Sequence, residues 1–319
     1  MKLVKPSFEI LEQEPSYEGM LRHIERCGRT CYKSEDKITK DSAKKFVDMI
    51  INRGHTAVLE QGTVYLAIPM TTYCPEAVNT YINNPYSVVN ECHDFVFTDK
   101  YGDEVCAWCV TTNYRVLLEN DCLEDLEFLC EPTKYHTKRI TVKFICDRGV
   151  SHEFVRHRVF SFAQESTRYC NYSKDKFGKE CTFIIPSWLS DSITREGHYV
   201  WHCWCGLDTY GPGKDCFASE EEYENRKGTD FDAHSPEGFF IAELQSAEFT
   251  YFKLLEKGWI AQQARAVLPN SLKTELIMTG TIDQWKGFFK LRDAKDAHPQ
   301  ARELAQPLHE EFIKRGWLV

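Results

Sequence analysis

Along residues 139–146 polar and apolar side chains alternate, the period of a strand with one face in a core. Asp147, Arg148 and Gly149 end that strand, and Ser151 is placed to cap a helix running through Arg158. β-branched and aromatic residues predict strands at 63–68, ended by Pro69, at 106–111, and at 181–185 before Pro186. Helical spacing predicts helices at 17–26, at 41–52 before Gly54, and at 113–119. A longer helix has Ser235 as N-cap, Pro236 at its first position and Gly258 at its end. Phe240, Leu244, Ala247, Tyr251 and Leu255 fall on one face of it, which reads as core. Helices follow at 282–291 and 299–314, with Pro307 expected to kink the last one or divide it in two. Residues 72–104 and 190–235 break the pattern and read as loop-rich insertions. Strands and helices intersperse without a βαβ repeat, so the fold class is α+β, an antiparallel-rich mixed sheet with packed helices. One domain spanning 1–319 is the expectation.

Composition narrows the function classes. With 42% hydrophobic and 13% aromatic residues the chain can build a sizeable core. The net charge of −9 disfavours nucleic acid and anionic membranes as partners, though not small anions held by local arginines. The first ten residues lack the pattern of a secretory signal, and no apolar run approaches the roughly 18 residues of a spanning helix. A soluble, cytoplasmic protein is therefore expected. The 14 cysteines are scattered, and in a reducing compartment they read as free thiols. His198, His202, Cys203, Cys205 and Cys216 could furnish zinc ligands, but their spacing is not that of a standard finger. No metal site is assigned. Gly211, Pro212, Gly213 and Lys214 lack the spacing of a phosphate loop and read as a turn.

The densest chemistry lies between Asp147 and Ser173. On one helix Glu153 and His157 share a face, as do His152 and Arg156, and Arg156, His157 and Arg158 fan out at its end. Gln164, Glu165, Ser166, Thr167 and Arg168 follow within a few positions. Guanidinium forks suit phosphate and pyrimidine carbonyl oxygens. The plain alternative is a solvated basic helix end paired with nearby acids.

Arg156-His157-Arg158, seven residues and then Ser166 resembles the signature of the flavin-dependent thymidylate synthases. Two more segments resemble that family in the same order: 54–61, similar to its GH-x4-EH element, and 264–269, similar to its AR-x2-LP element. Residues 273–292 resemble its strand–helix unit ending in Leu-Arg. The resemblance covers roughly 17–70, 105–188 and 240–312, and implies the thymidylate synthase complementing fold. It implies FAD at Arg156, His157 and Arg158, with His55, Glu60, Gln164 and Thr281 in support. It implies dUMP at Glu153, Arg156, Gln164, Glu165, Ser166, Arg168, Arg265 and Arg292. Methylenetetrahydrofolate would donate the carbon, NADPH the reducing equivalents, and Arg292 would activate the uracil ring. A homotetramer with shared active sites is also implied. Departures fall on the flavin side: Gln61 replaces the second histidine, Ala57 takes the place of a hydroxyl, and Thr281 and Asp283 stand where asparagine and arginine are common.

Ser166 reads as a hydrogen-bonding group rather than a nucleophile, since no histidine is placed as its base. Nothing in the sequence depresses the Cys170 thiol toward thiolate. The competing readings are a catalytically degenerate relative, a zinc-binding interaction protein built on 198–216, and a nucleic-acid-binding helix that the acidic charge argues against.

Overall fold

The computed structural model describes residues 1–70, 78–98, 102–189, 197–198 and 236–318. Its strands are β1 (Lys2–Val4), β2 (Ser7–Leu11), β3 (Thr63–Pro69), β4 (Val88–Thr98), β5 (Glu104–Asn113), β6 (Arg139–Asp147), β7 (Ser161–Gln164), β8 (Thr182–Ile184), β9 (Gly197–His198) and β10 (Lys273–Thr281). Its helices are α1 (Tyr17–Tyr32), α2 (Ala43–Asn52), α3 (Asn79–Ile82), α4 (Tyr114–Glu119), α5 (Arg148–Phe154), α6 (Pro236–Glu256), α7 (Ala261–Ala264), α8 (Ile282–Arg292) and α9 (Pro299–Lys314). The fold is α+β.

The strand that alternation predicts is β6, in the antiparallel order β2-β6-β10-β7. β10 lies between two partners and is buried along almost its whole length, as the continuous apolar run Leu276, Ile277, Met278 requires. One face of this sheet packs Val142, Phe144, Leu276 and Met278 against Phe154 of α5, Trp285, Phe288 and Phe289 of α8, and Leu304, Leu308 and Phe312 of α9. The polar face of β6 is largely covered, with Lys143 keeping partial exposure. Thr141 is buried there, bonded to His23 of α1 at 3.1 Å and to Thr279 of β10 at 2.7 Å.

A second antiparallel sheet, β3-β5-β4, shares a core with α1, α2 and α4. A third, β8-β1-β9, has β1 parallel to β8 and packs on α6.

Four local expectations are corrected. α5 starts at Arg148, with Asp147 as its cap through Val150 N at 2.6 Å, and it stops at Phe154 rather than Arg158. At that end Val155 N still bonds Ser151 O, but Arg156 N bonds Glu153 O one residue nearer, and with this tighter turn the chain leaves the helix. Residues 72–104 are not all loop, because they include the 11-residue strand β4, which pairs with β5 on either side of an irregularity between Cys92 and Phe97. α1 continues six residues beyond residue 26, to Tyr32. α9 runs through Pro307 as one helix and is not divided there. The proposed cap Ser235 lies outside the described residues; from Pro236 onward α6 buries Leu244, Ala247 and Tyr251 as its spacing predicts.

Candidate active site

Arg156, His157 and Arg158 occupy the turn between α5 and β7. Arg156 and Arg158 are exposed, and their guanidinium groups have no hydrogen-bond or ion-pair partner among the described residues. His157 turns inward, its ring 5.1 Å from that of Phe288 and 6.2 Å from that of Phe160. Burial, reinforced by the charge of Arg292, pushes His157 down to about 4. The imidazole is thus neutral at pH 7, and its Nε2 accepts a hydrogen bond from Arg292 Nε at 3.1 Å. Arg292 also donates to the Glu153 carboxylate at 2.5 Å and to the Glu153 carbonyl at 2.8 Å. Helix α8 places Arg292 at its C-terminal end, 139 residues along the chain from Glu153.

β7 carries the motif onward. Gln164, opposite Leu276 of β10, donates to Ser151 Oγ at 2.9 Å and so ties the strand to α5. Glu165 is buried rather than open. Its carboxylate accepts from Lys273 at 2.8 Å and from the Tyr172 hydroxyl at 3.3 Å. Lys273 also pairs with Glu275, as do Lys33 and Lys143. Burial works against the Glu275 carboxylate, but the three lysines win and hold it well below the usual range. Ser166 bonds backbone to backbone with Cys31 at 3.1 Å, and its hydroxyl accepts from Arg168 N at 3.3 Å. No histidine bonds it among the described residues. Cys170 is buried, and burial followed by the charge of Glu165 pushes its thiol up to about 12. Neither residue is activated as a nucleophile.

The remaining expected residues reach this segment from three directions. Arg265 donates to Thr167 Oγ1 at 3.0 Å. His55 bonds the Tyr32 hydroxyl at 2.8 Å, and the Tyr32 ring lies 5.3 Å from that of Tyr169, over which Arg168 sits at 5.4 Å. Glu60 is set apart, pairing with Arg115 at 2.6 Å, while its carbonyl accepts from Arg139 at 3.2 Å. Thr281 caps α8 by accepting from Gln284 N, and Asp283 pairs with Lys286 at 2.9 Å. Gln61 is fully buried and accepts from Thr279 at 2.6 Å, so it does not face the arginines' solvent side.

Tyr32, Tyr169, Lys273 and Glu275 take part without having been singled out from sequence. Lys273 and Glu275 are two apart on β10 and therefore share a face, a signal present in the Lys-Thr-Glu run. The proposed zinc ligands His202, Cys203, Cys205 and Cys216, and the side chain of His198, lie outside the described residues.

Comparison with known proteins adds a family. Residues 135–315 match the model of the thymidylate synthase complementing proteins, Thy1. A flavin-dependent thymidylate synthase of Pyrococcus furiosus is 29% identical over 170 residues, 53% of this chain and 52% of the relative. A probable flavin-dependent thymidylate synthase of Paramecium bursaria Chlorella virus 1 is 26% identical over 180 residues, 56% of this chain and 68% of the relative. The chain thus spans about half the length of the Pyrococcus relative it matches. A solved UMP/dUMP methylase PolB from Streptomyces cacaoi, bound with 5-Br dUMP, aligns over 98% of this chain and 93% of its own at 14% identity and a TM-score of 0.39.

Proposed function

The chain belongs to the family of thymidylate synthase complementing proteins, and from that premise we propose that it is an FAD-dependent thymidylate synthase, converting dUMP to dTMP with methylenetetrahydrofolate and NADPH. One observation carries the reading. Segments far apart in sequence, led by His55, Arg265 and Arg292, converge through Tyr32, Thr167, Glu153 and His157 on the single stretch 153–169.

The residues present suit an anionic dinucleotide, because Arg156 and Arg158 offer exposed guanidinium forks that no described acid neutralises. Arg156, His157 and Arg158, with His55, Glu60, Gln164 and Thr281, would hold FAD. When bound and reduced, that cofactor supplies the hydride that completes the methyl group. Arg168 and Arg265 supply fixed charge for the dUMP phosphate, and Glu153, Arg156, Gln164, Glu165 and Ser166 complete the nucleotide site. Three of the five guanidinium N–H groups of Arg292 are committed to Glu153 and His157, which leaves two for a uracil carbonyl oxygen. Negative charge gathers on that oxygen as uracil C5 becomes nucleophilic. A guanidinium already held in place stabilises it without reorganising.

The family resemblance extends the proposal to a homotetramer in which neighbouring chains complete each site. A cytoplasmic location suits the substrates. The second reading, a catalytically degenerate relative, is favoured only by the acidic Asp283, paired with Lys286 where the family commonly has arginine.

The test is absorbance of the purified protein after FAD is added and excess removed, followed by NADPH oxidation with and without dUMP. A retained flavin band and faster oxidation with dUMP are expected. Colourless protein would replace the synthase by the degenerate relative.

A further inference from the structure

Arg139 opens β6 opposite the α8 cap Thr281, and its side chain crosses from the first sheet to the second. Nη1 donates to Thr63 Oγ1 of β3 and to Thr112 O of β5, both at 3.3 Å. Nη2 donates to Glu60 O at 3.2 Å and to Ser161 Oγ at 3.3 Å. The backbone N–H of the same residue donates to the Tyr65 hydroxyl at 3.2 Å. One guanidinium thus joins two strands of the second sheet, the turn Thr56–Gln61 and the first residue of β7.

All four of these acceptors are neutral. Glu60 gives its carbonyl, while its carboxylate pairs with Arg115 at 2.6 Å. Burial of the guanidinium end pushes Arg139 down to about 10, with Tyr65 and Glu60 opposing the shift, so the group stays charged at pH 7. A cation among neutral oxygens is costly to bury, and an apolar chain of similar length would fill the space without that cost. What a guanidinium adds is a rigid fork of donors at fixed spacing. Here the fork fixes residue 60 relative to residue 161, because both acceptors share Nη2. Glu60 lies in one stretch proposed to hold FAD, and Ser161 follows Arg158 of the other by three residues. Thr63 and Thr112 belong instead to the sheet β3-β5-β4, outside the residues 135–315 that match the family.

We propose that Arg139 is a positioning residue for the flavin, setting the gap between the two cofactor-holding turns and anchoring it to the second sheet. This role rests on the FAD site proposed above and needs no contact between Arg139 and the cofactor. Without the fork the two turns lose their common tie, and FAD binding weakens. The dUMP phosphate is held by Arg168 and Arg265, which Arg139 does not touch, so nucleotide binding is spared.

Calorimetric titration of the apoprotein with FAD, and of the FAD-saturated protein with dUMP, tests this alongside hydrogen exchange without ligands. Arg139→Met keeps the length of the side chain and removes its donors, and Arg139→Lys keeps the charge without the fork. Both are expected to weaken FAD binding about tenfold or more and to leave dUMP affinity within about twofold. Amides of residues 58–62 and 158–161 should exchange about tenfold faster in Arg139→Met, with those of α9 unchanged. Thr63→Val removes one acceptor on the second sheet and should weaken FAD binding about threefold, a test that stands even if residue 139 tolerates no change. Full FAD affinity in Arg139→Met or Thr63→Val, or unchanged exchange in both turns, overturns the proposal. Rescue by Arg139→Lys would leave charge alone as the cause, and equal loss of FAD and dUMP binding would make the residue merely structural; either result overturns it too. A parent chain that binds no FAD fails the synthase reading and this role with it, whereas a parent that binds FAD as tightly as Arg139→Met fails this role alone.

Discussion

Arg292 is held on three sides before any ligand arrives, and that restraint makes its role testable at a single residue. Arg292→Ala is expected to lower dTMP formation by about 10²–10³-fold, the loss seen when one preorganised donor to developing charge is removed. The flavin band should remain, since Arg156 and Arg158 are untouched. Full residual activity would take Arg292 out of the reaction. His23 carries a second prediction. It is 4% exposed, and burial, followed by the charge of Arg26, pushes it down to about 4. Between pH 6.5 and 4 the unfolded chain then binds the extra proton, so stability is full above 6.5 and falls as pH drops through that window. The drop for a shift of this size is of order 3 kcal/mol. Urea unfolding of His23→Gln across this range should show a flatter acid limb. A limb as steep as that of the parent would mean that other groups govern it.

At the scale of elements, the joint between β10 and α8 decides where Arg292 stands. Thr281 caps α8 and Gln284 bonds back to Thr281 N at 2.8 Å, a capping box. Thr281→Ala should cost about 1 kcal/mol in urea denaturation. One residue earlier, a Cβ on Gly280 would lie 2.5 Å from the Phe160 ring, which is wedged between Trp285 at 4.7 Å and His157 at 6.2 Å. Gly280→Ala is therefore expected to destabilise by about 1–3 kcal/mol and to loosen flavin binding through His157. Unchanged stability would show that the ring yields freely. α8 was legible from the spacing of 282–291, whereas β10, a continuous apolar run without alternation, was expected only from the family resemblance of 273–292. The end of α5 was not legible, because Val155, Arg156 and His157 are compatible with helix, and the contacts of His157 with Phe288 and Arg292 beyond that end are tertiary. β4 was hidden by Asn90 and Glu91, which pair with β5 at a sheet edge, and by His93 and Asp94, which fall in the irregularity between Cys92 and Phe97. The arginines of the site were legible as chemistry. The burial of Glu165 was not, since its partners Lys273 and Tyr172 come from other elements.

For the whole molecule, a net charge of −9 coexists with arginines at 156, 158, 168, 265 and 292, the positive charge that the proposed anionic ligands require. Among the described residues no helix is long and apolar enough to cross a membrane. If neighbouring chains complete the sites, sedimentation should give four times the chain mass. A monomer with full activity would remove the shared-site assembly. Methylation of dUMP is read in its product. Purified protein with FAD, NADPH, methylenetetrahydrofolate and dUMP should form dTMP, separable by chromatography and heavier than dUMP by one methylene. Flavin-loaded protein that leaves dUMP unchanged under these conditions would contradict the account.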